Sequence, residues 1–205
     1  MGTDALRLVR YAAIGLIAVL AIVWFAVGLG WLQSARAPDE SQMLGRSTIT
    51  PFQLLDQSGK PVSEKDVLGR PAVFFFGFTF CPDVCPTTLA SLTALLGQLG
   101  PDADKFGVFF VTVDPERDTP DVLKQYLSAF DPRIRGLTGT PEQVAAVTKA
   151  LGVYAAKVKL DGGGYTMDHT AGVFLLDAQG RFRSTIAYGE EQDAALAKLK
   201  KLLAD

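Results

Sequence analysis

Apolar residues fall into three patterns along this chain, and each predicts a different element. The first is a long unbroken run: Tyr11 to Leu32 makes 22 consecutive residues without a charge. At ~1.5 Å per residue such a helix is about 33 Å long, enough to cross a ~30 Å hydrocarbon core. Tyr11 and Trp31 stand near its ends, where interfacial aromatics belong, and Trp24 lies within it. The second pattern is a short continuous run. Ala72-Val73-Phe74-Phe75-Phe76-Gly77-Phe78 and Val108-Phe109-Phe110-Val111-Thr112-Val113 are too short to span a membrane and predict strands buried on both faces. The third is the helical stripe. Leu89, Leu92, Leu96 and Leu99 form one, stopped by Gly100-Pro101. Val122, Leu123, Tyr126 and Leu127 form another, and Leu196, Leu199 and Leu203 a last one.

Polar positions punctuate these elements. Phe52, Leu54 and Leu55 read as a strand entering the turn Asp56-Gln57-Ser58-Gly59-Lys60. Thr119 is an N-cap with Pro120 at the first helical position. Thr140-Pro141-Glu142-Gln143 is a capping box for a helix that reaches Leu151 and Gly152. Val158 and Leu160 lead into the turn Asp161-Gly162-Gly163-Gly164, whose glycines predict a mobile loop. Gly172 to Leu176 and Arg181 to Ile186 flank Asp177-Ala178-Gln179-Gly180 as an antiparallel hairpin. The order β-α-β-α-α, hairpin, helix is an α/β layered pattern. By analogy it predicts a thioredoxin-like fold, a central mixed sheet flanked by helices, behind an N-terminal transmembrane helix. The expected organisation is a short cytoplasmic N-terminus (1–10), a transmembrane helix (11–32), a linker (33–48) and one folded domain (49–205).

Charge orients and bounds this picture. Arg7 and Arg10 precede the apolar run, with Asp4 the only acid there, while Arg36, Asp39 and Glu40 follow it, so the positive-inside rule places the N-terminus in the cytoplasm. The simplest setting is a single-pass protein of a bacterial inner membrane with a periplasmic domain. Ala35-Arg36-Ala37 fits a signal-peptide cleavage pattern. The run is nevertheless longer than the ~7–15 residues of a usual signal core, which favours an uncleaved anchor. Without Arg7, Arg10 and Asp4, 18 basic and 21 acidic residues remain, with no basic stripe for nucleic acid. The 205 residues include two cysteines and one histidine, which excludes a disulfide scaffold and any multi-histidine metal site.

Both cysteines lie in Phe80-Cys81-Pro82-Asp83-Val84-Cys85-Pro86. The C-x3-C spacing puts both sulfurs on one side of a helical turn. Pro86 at the first helical position would make Cys85 the cap, where the helix dipole favours a thiolate. A structural disulfide is the plain alternative in an oxidising compartment. Its loop is so small that chain entropy predicts only roughly 2 kcal/mol, against about 4.7 for a 100-residue loop. The pair also follows a strand at the lip of the sheet, where α/β proteins keep their sites. His169 stands just before the strand Gly172 to Leu176. It is either a turn histidine with Asp168 as local partner or, if its strand joins the sheet of Ala72–Phe78, a third donor in the cysteine pocket. Two thiolates and an imidazole form a soft site suited to Cu(I) or zinc, and to Cu(II). Structural zinc normally takes a fourth protein ligand, and no further Cys or His exists. Met167 is a packing residue or a thioether donor, and Asp114 and Asp168 are candidates to support the ligands.

The segments Gly77-Phe78-Thr79-Phe80-Cys81-Pro82-Asp83-Val84-Cys85-Pro86, Val113-Asp114-Pro115-Glu116-Arg117-Asp118-Thr119-Pro120, Leu137-Thr138-Gly139-Thr140 and Asp168-His169-Thr170 occur in that order. Together they resemble the Sco/SenC family of membrane-anchored copper proteins needed to assemble cytochrome c oxidase. The resemblance covers roughly residues 50–188. It implies that Cys81, Cys85 and His169 bind one copper ion, Cu(I) or Cu(II). It also implies a thioredoxin-like fold with a Val153–Tyr165 hairpin insertion. One departure is visible: many members carry His immediately before the first cysteine, where this chain has Phe80.

The function so implied is a metallochaperone delivering copper to the binuclear copper site of oxidase subunit II. It would be loaded by a periplasmic copper donor and kept reduced by a thiol reductant. The same cysteines also serve a rival reading, a thiol–disulfide oxidoreductase in which Cys81 and Cys85 are the redox pair that reduces the oxidase's copper-site cysteines. The spacing leans against it, because dedicated thioredoxin-like reductases use C-x2-C. A peroxidase-like or redox-sensing protein is a third class, and it predicts rapid peroxide consumption.

Overall fold

The computed structural model describes residues 49–204, together with Gly15 and Trp24, which are both helical. The expected cytoplasmic N-terminus, the rest of the span 11–32 and the linker 33–48 lie outside the described residues. Among the described residues no helix is long and apolar enough to cross a membrane.

From residue 49 onward the chain runs β1 (Gln53–Asp56), β2 (Pro61–Ser63), β3 (Ala72–Gly77), α1 (Val84–Leu99), β4 (Gly107–Thr112), α2 (Pro120–Leu127) and β5 (Ile134–Thr138). It continues with α3 (Pro141–Ala150), β6 (Ala155–Lys159), β7 (Tyr165–His169), β8 (Val173–Leu176), β9 (Phe182–Ile186) and α4 (Gln192–Ala204). Seven strands form one mixed sheet in the order β2-β1-β5-β4-β3-β8-β9. β3, β4 and β5 are parallel, while β8 lies antiparallel to β3 and β1 antiparallel to β5. Every residue of β3 and β4 is buried, which is why those runs lack polar alternation. Their phenylalanines pack across the sheet: Phe74 stacks on Phe109 at 4.9 Å and Phe76 meets Phe174 edge-on at 5.8 Å.

The cap signals are realised. Thr119 Oγ1 accepts from the Val122 N–H with Pro120 opening α2, and Thr140 and Gln143 close a capping box on α3. Two strands carry weaker sequence signals than the structure gives them: β2 has three residues, and β5 is interrupted by Arg135 and Gly136.

The position of His169 departs from expectation. It does not begin a strand of the main sheet. It ends β7, opposite Ala155, in a separate two-stranded sheet of β6 and β7. Only after Thr170 to Gly172 does the chain enter β8 and pair with β3. The reason is local. β6 and β7 carry too many polar residues to be buried in the central sheet, and they pair with each other across a glycine turn. Gly163 and Gly164 close that turn at φ 89° and 78°, a conformation that disfavours side chains.

Candidate metal centre

β3 ends at Gly77, and the chain turns through Phe78 to Phe80 before the first turn of α1. Gly77 is a close-approach position: a Cβ there would stand 2.7 Å from Cys85 Sγ and 2.8 Å from the Phe110 ring. The missing side chain is therefore what lets the Cys85 sulfur settle onto the strand end.

The helix start differs from the expected one. Asp83 is the N-cap and Cys85 lies inside the first turn, fully buried. The N–H of Cys85 points back to Cys81 Sγ at 3.4 Å, so Cys81 is the residue that receives a free donor of the helix N-terminus. Burial pushes the Cys85 thiol well above its ordinary range, and its proximity to Cys81 adds to this. The buried Cys85 thus stays protonated until something replaces its proton. Both cysteines are free thiols, Cys81 part-exposed and Cys85 buried.

His169 reaches the pair from the hairpin. Its Nε2 lies 3.5 Å from Cys85 Sγ, and Cys81 Sγ, Cys85 Sγ and a His169 ring nitrogen all fall within 4.8 Å of one another. Its Nδ1 sits 3.0 Å from the Thr170 carbonyl. A carbonyl only accepts, so Nδ1 carries the proton and Nε2 presents its lone pair to the sulfurs. Burial holds the imidazole below its ordinary value, and it is neutral at pH 7. Phe75 and Phe78 meet the ring edge-on at 6.4 and 5.9 Å and fix its plane.

The carboxylates fall otherwise than the sequence led us to expect. Asp168 is exposed and acts on His169 only as a nearby charge, the ring's hydrogen bond going to Thr170. Asp114 is buried, but its oxygens are taken by Arg117 Nε and by the Tyr165 hydroxyl at 2.9 Å. The carboxylate behind the cysteine loop is Asp118, fully buried. It accepts from Thr79 N at 3.1 Å, Thr79 Oγ1 at 2.6 Å and Thr112 Oγ1 at 2.5 Å. Burial raises its pKa, partly offset by those donors. Asp118 lies in a motif visible in the sequence, yet spacing alone does not tell which of its acids turns inward. Met167 packs partly buried against the core and lines a groove of about 330 Å³ with Cys81, Tyr154 and His169.

Chemically this is a trigonal donor set with one open side. Bonds of ~2.3 Å to sulfur and ~2.0–2.1 Å to nitrogen, typical of a first-row ion, span donor separations of about 4 Å. The observed triangle fits that size, and its softness fits copper.

Comparison with known proteins agrees. The family model described as SCO1/SenC matches residues 40–204. Protein SCO2, mitochondrial, of Saccharomyces cerevisiae is 37% identical over 177 residues, which are 83% of this chain and 58% of that protein. The chain thus spans little more than half of that relative's length. Among solved structures, Bradyrhizobium japonicum ScoI with copper bound superposes with a TM-score of 0.71 at 49% identity, covering 76% of this chain and 99% of that one. Yeast Sco1 with copper bound gives a TM-score of 0.68 at 36% identity, covering 76% of this chain and 87% of that one.

Proposed function

The chain belongs to the SCO1/SenC family, and from that premise we propose that it is a copper metallochaperone with Cys81, Cys85 and His169 as ligands. The observation that carries this reading is the convergence of two sulfurs and an imidazole within 4.8 Å beside an open groove. Copper is the cargo. Taking it up displaces the thiol protons, while the neutral His169 offers Nε2 without losing one. Release proceeds by ligand exchange: His169 leaves first, because it stands on the peripheral hairpin, and the sulfurs follow one at a time. When a partner disulfide takes two electrons and two protons from Cys81 and Cys85 and leaves as a dithiol, the resulting Cys81–Cys85 disulfide offers neither thiolate donor, so loading follows redox state.

The recipient in this reading is the binuclear copper site of cytochrome c oxidase subunit II. A periplasmic copper donor and a thiol reductant act upstream. The apolar segment 11–32 anchors the chain in a bacterial inner membrane, with the copper domain on the periplasmic side. The test is copper stoichiometry in the reduced full-length chain, held in detergent. One tight equivalent is expected, lost in Cys81→Ser/Cys85→Ser. Retention of that equivalent by the double variant overturns the proposal.

One observation favours a second activity. Cys81 is part-exposed while Cys85 is buried, the asymmetry of an attacking and a resolving thiol. His169→Ala separates the two roles, since it weakens copper binding and leaves dithiol exchange intact.

A further inference from the structure

The loop Asp114 to Asp118 touches both halves of the site, although none of its residues is among the three donors. Asp118 holds Thr79, two residues before Cys81. Arg117 faces the other way. Its Nε donates to Asp114, and its Nη1 donates to the Tyr165 carbonyl at 3.1 Å. Its guanidinium carbon stands 3.8 Å from the centre of the Tyr165 ring and 4.7 Å from that of Phe80. Tyr165 opens β7, the strand that ends in His169, and Phe80 immediately precedes Cys81. The cation therefore lies between the element carrying the imidazole and the loop carrying the first sulfur.

We propose that Arg117 is a positioning residue that docks the β6–β7 hairpin, and with it His169, against the cysteine loop. The side chains support this division of labour. The Arg117 side chain is mostly buried, its Asp114 partner almost wholly so, and the Tyr165 hydroxyl closes the set on the same Asp114. Its buried Nη2 has no hydrogen-bond partner among the described residues, so the rest of the guanidinium's surroundings are aromatic. A planar cation between two rings is an arrangement that lysine does not reproduce. The neighbouring Lys157–Glu116 pair, at 2.8 Å, is solvent-exposed and holds the hairpin only weakly. A five-residue strand is stiff over its ~13 Å length, so a shift at Tyr165 is carried to His169. Phe80, 59% exposed, is one wall of this clamp.

The copper arm of the test rests on the metallochaperone reading, and the metal-free arm does not. In the copper-free full-length chain, amide exchange of residues 155–169 is expected to rise about tenfold in Arg117→Ala and less in Arg117→Lys, with β3 and β4 unchanged. In the copper-loaded chain, Arg117→Ala is expected to speed Cu(I) transfer to bathocuproine disulfonate about tenfold, with no further effect in a His169→Ala background. Wild-type exchange across the hairpin overturns the proposal, as does an equal acceleration with and without His169. If Arg117→Ala loses protection everywhere, Arg117→Lys and Phe80→Ala decide: faster hairpin exchange in both supports the clamp, and unchanged exchange in both refutes it. Failure of the wild type to hold copper refutes the metallochaperone reading, and the exchange result still judges the clamp.

Discussion

β3 and the β6–β7 hairpin deliver donors to the same point by opposite means. β3 is buried at every residue, and the Cys85 sulfur rests directly on its last one. The hairpin exposes most of its residues and brings His169 in from the rim, held by an arginine between rings and by edge contacts with Phe75 and Phe78. Two donors therefore share the stability of the core, while the third sits on an element that can open without global unfolding. Under the metallochaperone reading proposed above, this asymmetry sets an order of release.

The comparison breaks first at Gly77, where core packing and sulfur position are one constraint. Gly77→Ala places a methyl 2.7 Å from Cys85 Sγ and 2.8 Å from Phe110. Overpacking of this kind costs about 2–3 kcal/mol. Urea denaturation should show that loss, and copper titration should show weakened uptake, because the sulfur has to move. Wild-type values in both would mean that the sulfur is not seated on the strand.

A smaller effect tests how the core side is anchored. Asp131 opens β5. Its N–H donates to Thr93 of α1 at 3.1 Å, and its carboxylate takes Arg133 Nε at 2.8 Å and Nη2 at 2.6 Å. The Arg133 hydrogen bonds hold Asp131 below its ordinary value of 3.8, against the opposing effect of burial. A depressed acid contributes stability above its unfolded value and loses it as pH falls through its folded one. Asp131→Asn should therefore cost about 1–2 kcal/mol at pH 7. The difference from wild type should shrink as the pH falls below 3.8. Denaturation at a series of pH values checks this, and a difference that persists at low pH would place the loss elsewhere.

What was legible in the sequence divides along the same line. β3 and β4 announce themselves because burial on both faces leaves an unbroken apolar run, and Thr119, Pro120, Thr140 and Gln143 mark helix starts by their own chemistry. β5 was hidden because Gly136 serves packing, not turning: a Cβ there would stand 2.7 Å from Leu127 Cδ1. The residues of the centre could be named from sequence, but not how they are held. Cys85 as buried first-turn residue, His169 as hairpin end and Asp118 as inward acid depend on contacts between segments 39 to 84 residues apart. No local pattern encodes such contacts.

The smallest expected effect lies at the hairpin tip, and its smallness is the point. Leu160 is 51% exposed, next to the turn closed by Gly163 and Gly164. Leu160→Ser removes an apolar side chain that the core does not use, so global stability should change by less than about 0.5 kcal/mol. If the hairpin is an independent unit held through the Tyr165 and His169 contacts on β7, which Leu160 does not make, copper uptake should also stay at the wild-type level. Amide exchange should quicken at the tip and not at His169 or Thr170. A stability loss as large as that of Gly77→Ala would merge the two regions into one cooperative unit. Release of His169 ahead of the sulfurs would then require opening the core itself.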